Sequence, residues 1–174
     1  MADLVADVRA AIRDVPDFPK PGILFYDITP VLADPELFQR VCRWFADAYR
    51  DQGIQRIVAL DARGFLFGGP LVGELGASLV PVRKKGKLPY QTVSVEYDLE
   101  YGSAAIEIHV DAIQPGDKVL VVDDLLATGG TAAATVDLVR RLGGEVVGCV
   151  FLVELDFLGG RAKVDAPAKS LIHY

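Results

Sequence analysis

The stretch Val119–Val136, VLVVDDLLATGGTAAATV, constrains the fold of this chain more than any other. Val119 to Val122 form a short continuous run of branched apolar residues, the pattern of a parallel strand buried on both faces. Two adjacent carboxylates, Asp123 and Asp124, follow at the predicted C-terminal end of that strand. A loop of small residues comes next, Ala127-Thr128-Gly129-Gly130-Thr131. Beyond it Ala132, Ala133, Ala134, Val136, Leu138, Val139 and Leu142 carry a helical period. A strand, a glycine-rich turn and a helix start together make an anion site. Glycine lets bare backbone approach a ligand, and the free N–H groups at a helix start favour negative charge.

The loop matches neither common phosphate signature. No lysine follows its glycines as in a P-loop, and GxGxxG is absent. Thr128 and Thr131 offer hydroxyls instead, which suits one terminal phosphate monoester. Asp123 and Asp124 then face a polyol or a metal, because two adjacent acids closing an apolar strand need hydroxyl donors or a cation.

Composition sets the outer bounds. A net charge of −6 argues against a general nucleic-acid or anionic-membrane surface, so an anionic ligand must be held by local cations. Arg83-Lys84-Lys85-Gly86-Lys87, after the predicted strand Leu79–Val82, is such a cluster. No apolar run approaches a membrane span, and the opening MADLVADVRAAIRDV is too acidic for a signal peptide. Cys42 and Cys149 lie in apolar periodic segments and read as core hydrophobes, which makes the cytoplasm the expected compartment. His109 and His173 are isolated and give no metal-ligand spacing.

Leu4, Val5, Val8, Ile12 and Val15 predict an amphipathic helix over residues 3–14, followed by a Pro-rich connector, Asp17–Pro30. Asp34-Pro35 predicts an N-cap and first turn for a helix running to Arg50, with Gly53 beyond its end. Ile57–Leu60 reads as a buried strand, and Asp61-Ala62-Arg63-Gly64 leads from it into another helix. Thr92–Glu96 and Ala105–Val110 alternate apolar and polar residues, as half-exposed antiparallel strands do. The segment between them predicts a mobile hairpin loop able to close over a site. Glu145–Val153 is a further strand, and the weakly patterned tail ends in one at Leu171–Tyr174. Strands alternating with helices imply an α/β fold with a doubly wound, mostly parallel sheet, binding at the C-terminal strand edge. The loops at Asp61, Arg83 and Asp123 all fall on that edge. One domain is expected over residues 1–174, with residues 1–33 as a segment packed on it.

VLVVDDLLATGGT resembles the phosphoribosyl-pyrophosphate (PRPP) motif of type I phosphoribosyltransferases. DFPKPGILFYDITPVLADP, ARGFLFG, RKKGKLP and YDLEYG are similar to stretches of the adenine-specific branch of that family, so the likeness runs from about Asp17 to Glu154. The resemblance implies that Asp123 and Asp124 hold the ribose hydroxyls and that Ala127, Thr128, Gly129, Gly130 and Thr131 wrap the 5-phosphate. It implies a pyrophosphate grip made by Asp61, Ala62, Arg63, Arg83, Lys84 and Lys87. Glu100 is then the acid/base near the adenine, with Arg63 beside it in the chemistry, and Leu24, Phe25 and Tyr26 touch the base from an N-terminal hood. Tyr26 departs from the family, where a basic residue often stands. Mg²⁺ is expected on the pyrophosphate with no ligand directly from the protein, and the assembly is expected to be a homodimer. The implied reaction transfers the phosphoribosyl group of PRPP to adenine, giving AMP and pyrophosphate. Two alternatives stay open: a hypoxanthine/guanine enzyme with the same chemistry, and a PRPP-sensing regulator without catalysis.

Overall fold

A computed structural model describes residues 2–98 and 103–174. The chain divides into two compact units, residues 1–44 and 45–174.

In the first unit, helix α1 (Ala2–Ala11) is shorter than its apolar period predicts. Val15 fits a helical spacing, yet it lies in strand β1 (Arg13–Pro16), opposite Phe25 of antiparallel strand β2 (Leu24–Asp27). The β1–β2 ladder satisfies the backbone there, and the predicted connector is therefore partly strand. A short helix α2 (Thr29–Ala33) follows. Helix α3 (Pro35–Asp47) starts as expected: the Asp34 carboxylate accepts the N–H groups of Glu36 and Leu37, both at 3.0 Å. It ends before Arg50. Its last residues belong to the second unit, where Tyr49 leaves the helix with φ −136° and its buried hydroxyl donates to the Cys149 carbonyl of the same unit at 3.0 Å. A 3₁₀ turn over Arg50–Gln52 then closes at Gly53 in the left-handed conformation.

The second unit is built on seven strands: β3 (Arg56–Leu60), β4 (Ser78–Lys84), β5 (Thr92–Asp98), β6 (Ser103–His109), β7 (Lys118–Leu126), β8 (Glu145–Glu154) and β9 (Ala168–His173). Their order is β5-β6-β4-β3-β7-β8-β9. Strands β4, β3, β7, β8 and β9 run parallel, and the β5–β6 hairpin adds antiparallel to β4. Helices α4 (Gly64–Leu75) and α5 (Gly130–Arg141) follow β3 and β7. Val119 to Val122 are fully buried in the central strand, as a continuous apolar run requires.

The central strand is longer than predicted. Asp123 and Asp124 lie within β7, because its ladder to β8 continues through Asp123↔Phe151, Leu125↔Val153 and Leu126↔Glu154. The final strand likewise begins earlier, at Ala168, where it meets Cys149 of β8. Cys42 and Cys149 are buried free thiols, and burial pushes the Cys149 thiol up to about 12. Among the described residues no helix is long and apolar enough to cross a membrane.

Candidate functional site

Since β3, β4 and β7 are parallel, the segments after Leu60, Lys84 and Leu126 open on one edge of the sheet. A cavity of about 370 Å³ lies there, lined by residues 61–63 and 123–132. Two segments far apart in sequence thus supply the whole lining, and both were marked in the sequence.

The floor is acidic. Asp124 is buried, and the Nε of Arg63 donates to its Oδ2 at 2.5 Å. Asp123 Oδ1 accepts the N–H of Asp124 at 2.9 Å. Burial, and then the charge of Asp124, push the Asp123 carboxyl well above the usual carboxylate range. Helix α4 begins so close to this strand that only glycine fits at its first position. A Cβ on Gly64 would lie 2.7 Å from the Val122 carbonyl oxygen and 3.0 Å from Asp123 Oδ1. The small residue in ARGFLFG therefore lets the Arg63 loop reach the acids.

The opposite wall is the glycine loop. Gly129 takes the N-cap of α5 with φ 78°, a left-handed conformation that glycine adopts without strain. No side chain caps this helix end, so its first N–H groups remain available to an anion. Thr128 is exposed at the loop, and the Thr131 hydroxyl donates to the Tyr97 hydroxyl at 3.0 Å. At the third side, Arg83 of β4 donates from Nε to Asp61 Oδ2 at 3.1 Å and from Nη1 to the Lys87 carbonyl at 3.2 Å. The basic turn is thereby tied to the cavity, with Lys84 and Lys87 exposed on it.

The structure thus brings together Asp61, Ala62, Arg63, Asp123, Asp124 and Ala127 to Thr131, and joins Arg83 to them through Asp61. Leu24, Phe25 and Tyr26 form β2 of the first unit, where Phe18 packs edge-on against Phe25 with ring centroids 5.1 Å apart. Glu100 lies outside the described residues. Sequence reasoning missed Glu107, whose buried carboxylate lies under the basic turn, and Gly160, which packs on the glycine loop. The alternating pattern of β6 placed Glu107 among outward-facing polar residues. Its place opposite Arg83 comes only from the β4–β6 register, which no local pattern shows.

A family model described as a phosphoribosyl transferase domain matches residues 27–173. Among curated proteins the chain is similar to adenine phosphoribosyltransferase of Myxococcus xanthus, with 60% identity over 157 residues, covering 90% of this chain and 85% of the relative. It is 52% identical over 170 residues to the protein of that name from Shewanella loihica, covering 98% and 94% of the two chains. Among solved structures, adenine phosphoribosyltransferase from Rhodothermus marinus superposes with a TM-score of 0.95 at 51% identity over the full length of both chains. The Saccharomyces cerevisiae enzyme, crystallised with an imino-altritol bisphosphate and adenine, gives a TM-score of 0.94 at 43% identity over 98% of this chain and 99% of that one.

Proposed function

The chain belongs to the phosphoribosyl transferase family, and on that premise we propose that it transfers the 5-phosphoribosyl group of PRPP to adenine, giving AMP and pyrophosphate. The observation that carries this reading is one cavity joining two adjacent acids, an uncapped glycine-loop helix start and an arginine.

Each part answers a demand of the reaction. Asp123 and Asp124 accept the two ribose hydroxyls, and the N–H groups and hydroxyls of Ala127 to Thr131 hold the 5-phosphate. Arg63, Arg83, Lys84 and Lys87, with the backbone of Asp61 and Ala62, hold the pyrophosphate and neutralise the charge it gains as the C1–O bond breaks. Glu100 removes the ring proton of adenine as the new bond forms, a task suited to a carboxylate. Leu24, Phe25 and Tyr26 hold the base, with Phe25 set for stacking by its edge contact with Phe18. Tyr26 brings no charge, so discrimination of adenine falls to backbone groups around Leu24. Mg²⁺ would sit on the pyrophosphate oxygens, hard donors that suit it, with no ligand directly from the protein, since Asp61 and Asp124 already pair with Arg83 and Arg63. An ion carried in on the pyrophosphate would supply further neutralisation of the leaving group. We read the chain as one phosphoribosyltransferase domain with residues 1–33 as its hood. It works in the cytoplasm as a homodimer, for which exposed Leu66 and Leu79 offer apolar surface.

The test is pyrophosphate release from PRPP with adenine, hypoxanthine and guanine in turn. Release with adenine alone is expected. Release with either other base reassigns the specificity, and release with none overturns the catalytic reading.

A further inference from the structure

We propose that Glu107 is a positioning residue for pyrophosphate capture, a buried anion that locks the basic turn to the β5–β6 hairpin. Glu107 sits on β6 with 4% of its surface exposed. Its Oε1 accepts the N–H groups of Lys87 and Leu88, both at 2.9 Å, and its Oε2 accepts the Thr92 hydroxyl at 3.1 Å. One carboxylate therefore joins the turn, the first residue of β5 and the middle of β6. Burial alone would raise its pKa. The N–H groups of Leu88, Gly86 and Lys87 and the Thr92 hydroxyl outweigh that and hold the carboxyl below the usual range.

The same residue reaches the cavity by a short route. Glu107 stands directly opposite Arg83 in the β4–β6 register. Arg83 donates to the Lys87 carbonyl at 3.2 Å and to the cavity-lining Asp61 at 3.1 Å. Lys87 is thus gripped through both backbone groups, its N–H by Glu107 and its carbonyl by Arg83. Four cations within residues 83–87 repel one another, which Asp61 offsets at Arg83 and Glu96 offsets at Lys85, 3.9 Å away. Buried Glu107 adds an anion that bonds the turn's backbone and not its ammonium groups, and Lys84 and Lys87 stay exposed. The inference rests on reading residues 83–87 as the pyrophosphate grip.

The experiment compares pyrophosphate and AMP as ligands. The pyrophosphate inhibition constant, the KM for PRPP and the dissociation constant of AMP are measured for the full chain and for Glu107→Ala and Glu107→Gln. AMP carries the 5-phosphate, ribose and base but no pyrophosphate, so it reports on the rest of the site. Loss of the acceptor shared by the Lys87 and Leu88 N–H groups and the Thr92 hydroxyl predicts a rise of at least about tenfold in the pyrophosphate constant and in KM for PRPP in Glu107→Ala, with AMP binding within about twofold. Glu107→Gln keeps the shape and one acceptor oxygen, so an intermediate rise of about threefold is expected and a folded protein is retained. Equal weakening of AMP and pyrophosphate, or no change in either, overturns the proposal. An Arg83→Ala, Lys84→Ala, Lys87→Ala triple variant with unchanged pyrophosphate inhibition instead removes the underlying reading of the turn, and the proposal with it.

Discussion

The backbone of Gly160 rests directly on the backbone of Gly129. A Cβ on Gly129 would overlap the Gly160 carbonyl, and one on Gly160 would overlap that of Ala127. The glycine loop is therefore held from behind by a turn some thirty residues away in sequence. That turn is itself fastened. Arg161 donates from Nε to Glu154 Oε1 at 2.9 Å, and also to Glu154 Oε2, the Ala168 carbonyl and Ser170 Oγ. Glu154 is buried at the end of β8, and Ser170 on β9 donates to it at 2.6 Å. The sheet edge thereby fixes the turn, and the turn fixes the loop proposed to hold the 5-phosphate.

Gly160→Ala is expected to raise the KM for PRPP at least tenfold, about 1.4 kcal/mol, while the protein stays folded. The added methyl meets backbone, which cannot swing aside as a flexible side chain does. Gly159→Ala is the control. Gly159 has open space around it but a φ of 63°, so it costs stability of about 1 kcal/mol through strain and leaves the loop alone. Steady-state kinetics and thermal melts of both variants check this, and an unchanged KM in Gly160→Ala refutes it.

Asp123 is a half-buried acid beside the buried Asp124. Its folded-state pKa is raised, so its contribution to stability is complete below the ordinary carboxylate pKa and is lost as pH rises through the raised value. At neutral pH the protein therefore bears the cost of a half-buried acid beside a second, buried one. Asp123→Asn keeps the oxygen that accepts the Asp124 N–H and removes the charge. The expected outcome is a Tm higher by about 2–4 °C at pH 7, the shift that 1 kcal/mol makes in a domain of this size, and a gain that vanishes near pH 4. Turnover should fall at least tenfold at the same time if Asp123 accepts a ribose hydroxyl as proposed, because that hydroxyl loses a charged acceptor. Melts at the two pH values, read beside turnover, decide it; equal gains at both pH values would show that the titration of Asp123 plays no part.

Much of this site was legible because its parts are local. Val119 to Thr131 encode a buried strand, two acids and a glycine turn in one uninterrupted segment, and Asp61 to Gly64 repeat the strand-to-helix pattern with an arginine. What stayed hidden depends on contacts between distant segments. The end of α1 was misplaced because Val15 satisfies a helical and a strand period alike, and only the pairing with Phe25 settles it. The acids were put after β7 because they interrupt its apolar run, although the backbone ladder to β8 carries on regardless of side-chain polarity. Glu107 was assigned to a solvated face because alternation cannot foresee that a turn folds its N–H groups over one polar position. No local pattern couples Gly160 to Gly129, since their contact is between bare backbones.

The Thr131 hydroxyl, 3.0 Å from the Tyr97 hydroxyl, links the glycine loop to β5. Thr131 has one proton to donate. When a phosphate oxygen takes it, the Tyr97 hydroxyl can turn to donate to the Thr131 oxygen, and the two hydroxyls then polarise each other toward the anion. Tyr97→Phe removes only the second member of this chain. It is expected to raise the KM for PRPP by about fivefold, the worth of one neutral hydrogen bond of about 1 kcal/mol, with kcat changed less than about twofold. Thr131→Val removes the donor proposed to meet the phosphate and should raise KM further, to at least about tenfold. If the tyrosine acts through the threonine, the double variant is no worse than Thr131→Val alone, because the partner it serves is already gone. A double-mutant cycle on KM for PRPP measures this coupling. Additive losses would mean that Tyr97 affects binding by a separate route, and the two hydroxyls would not form one unit.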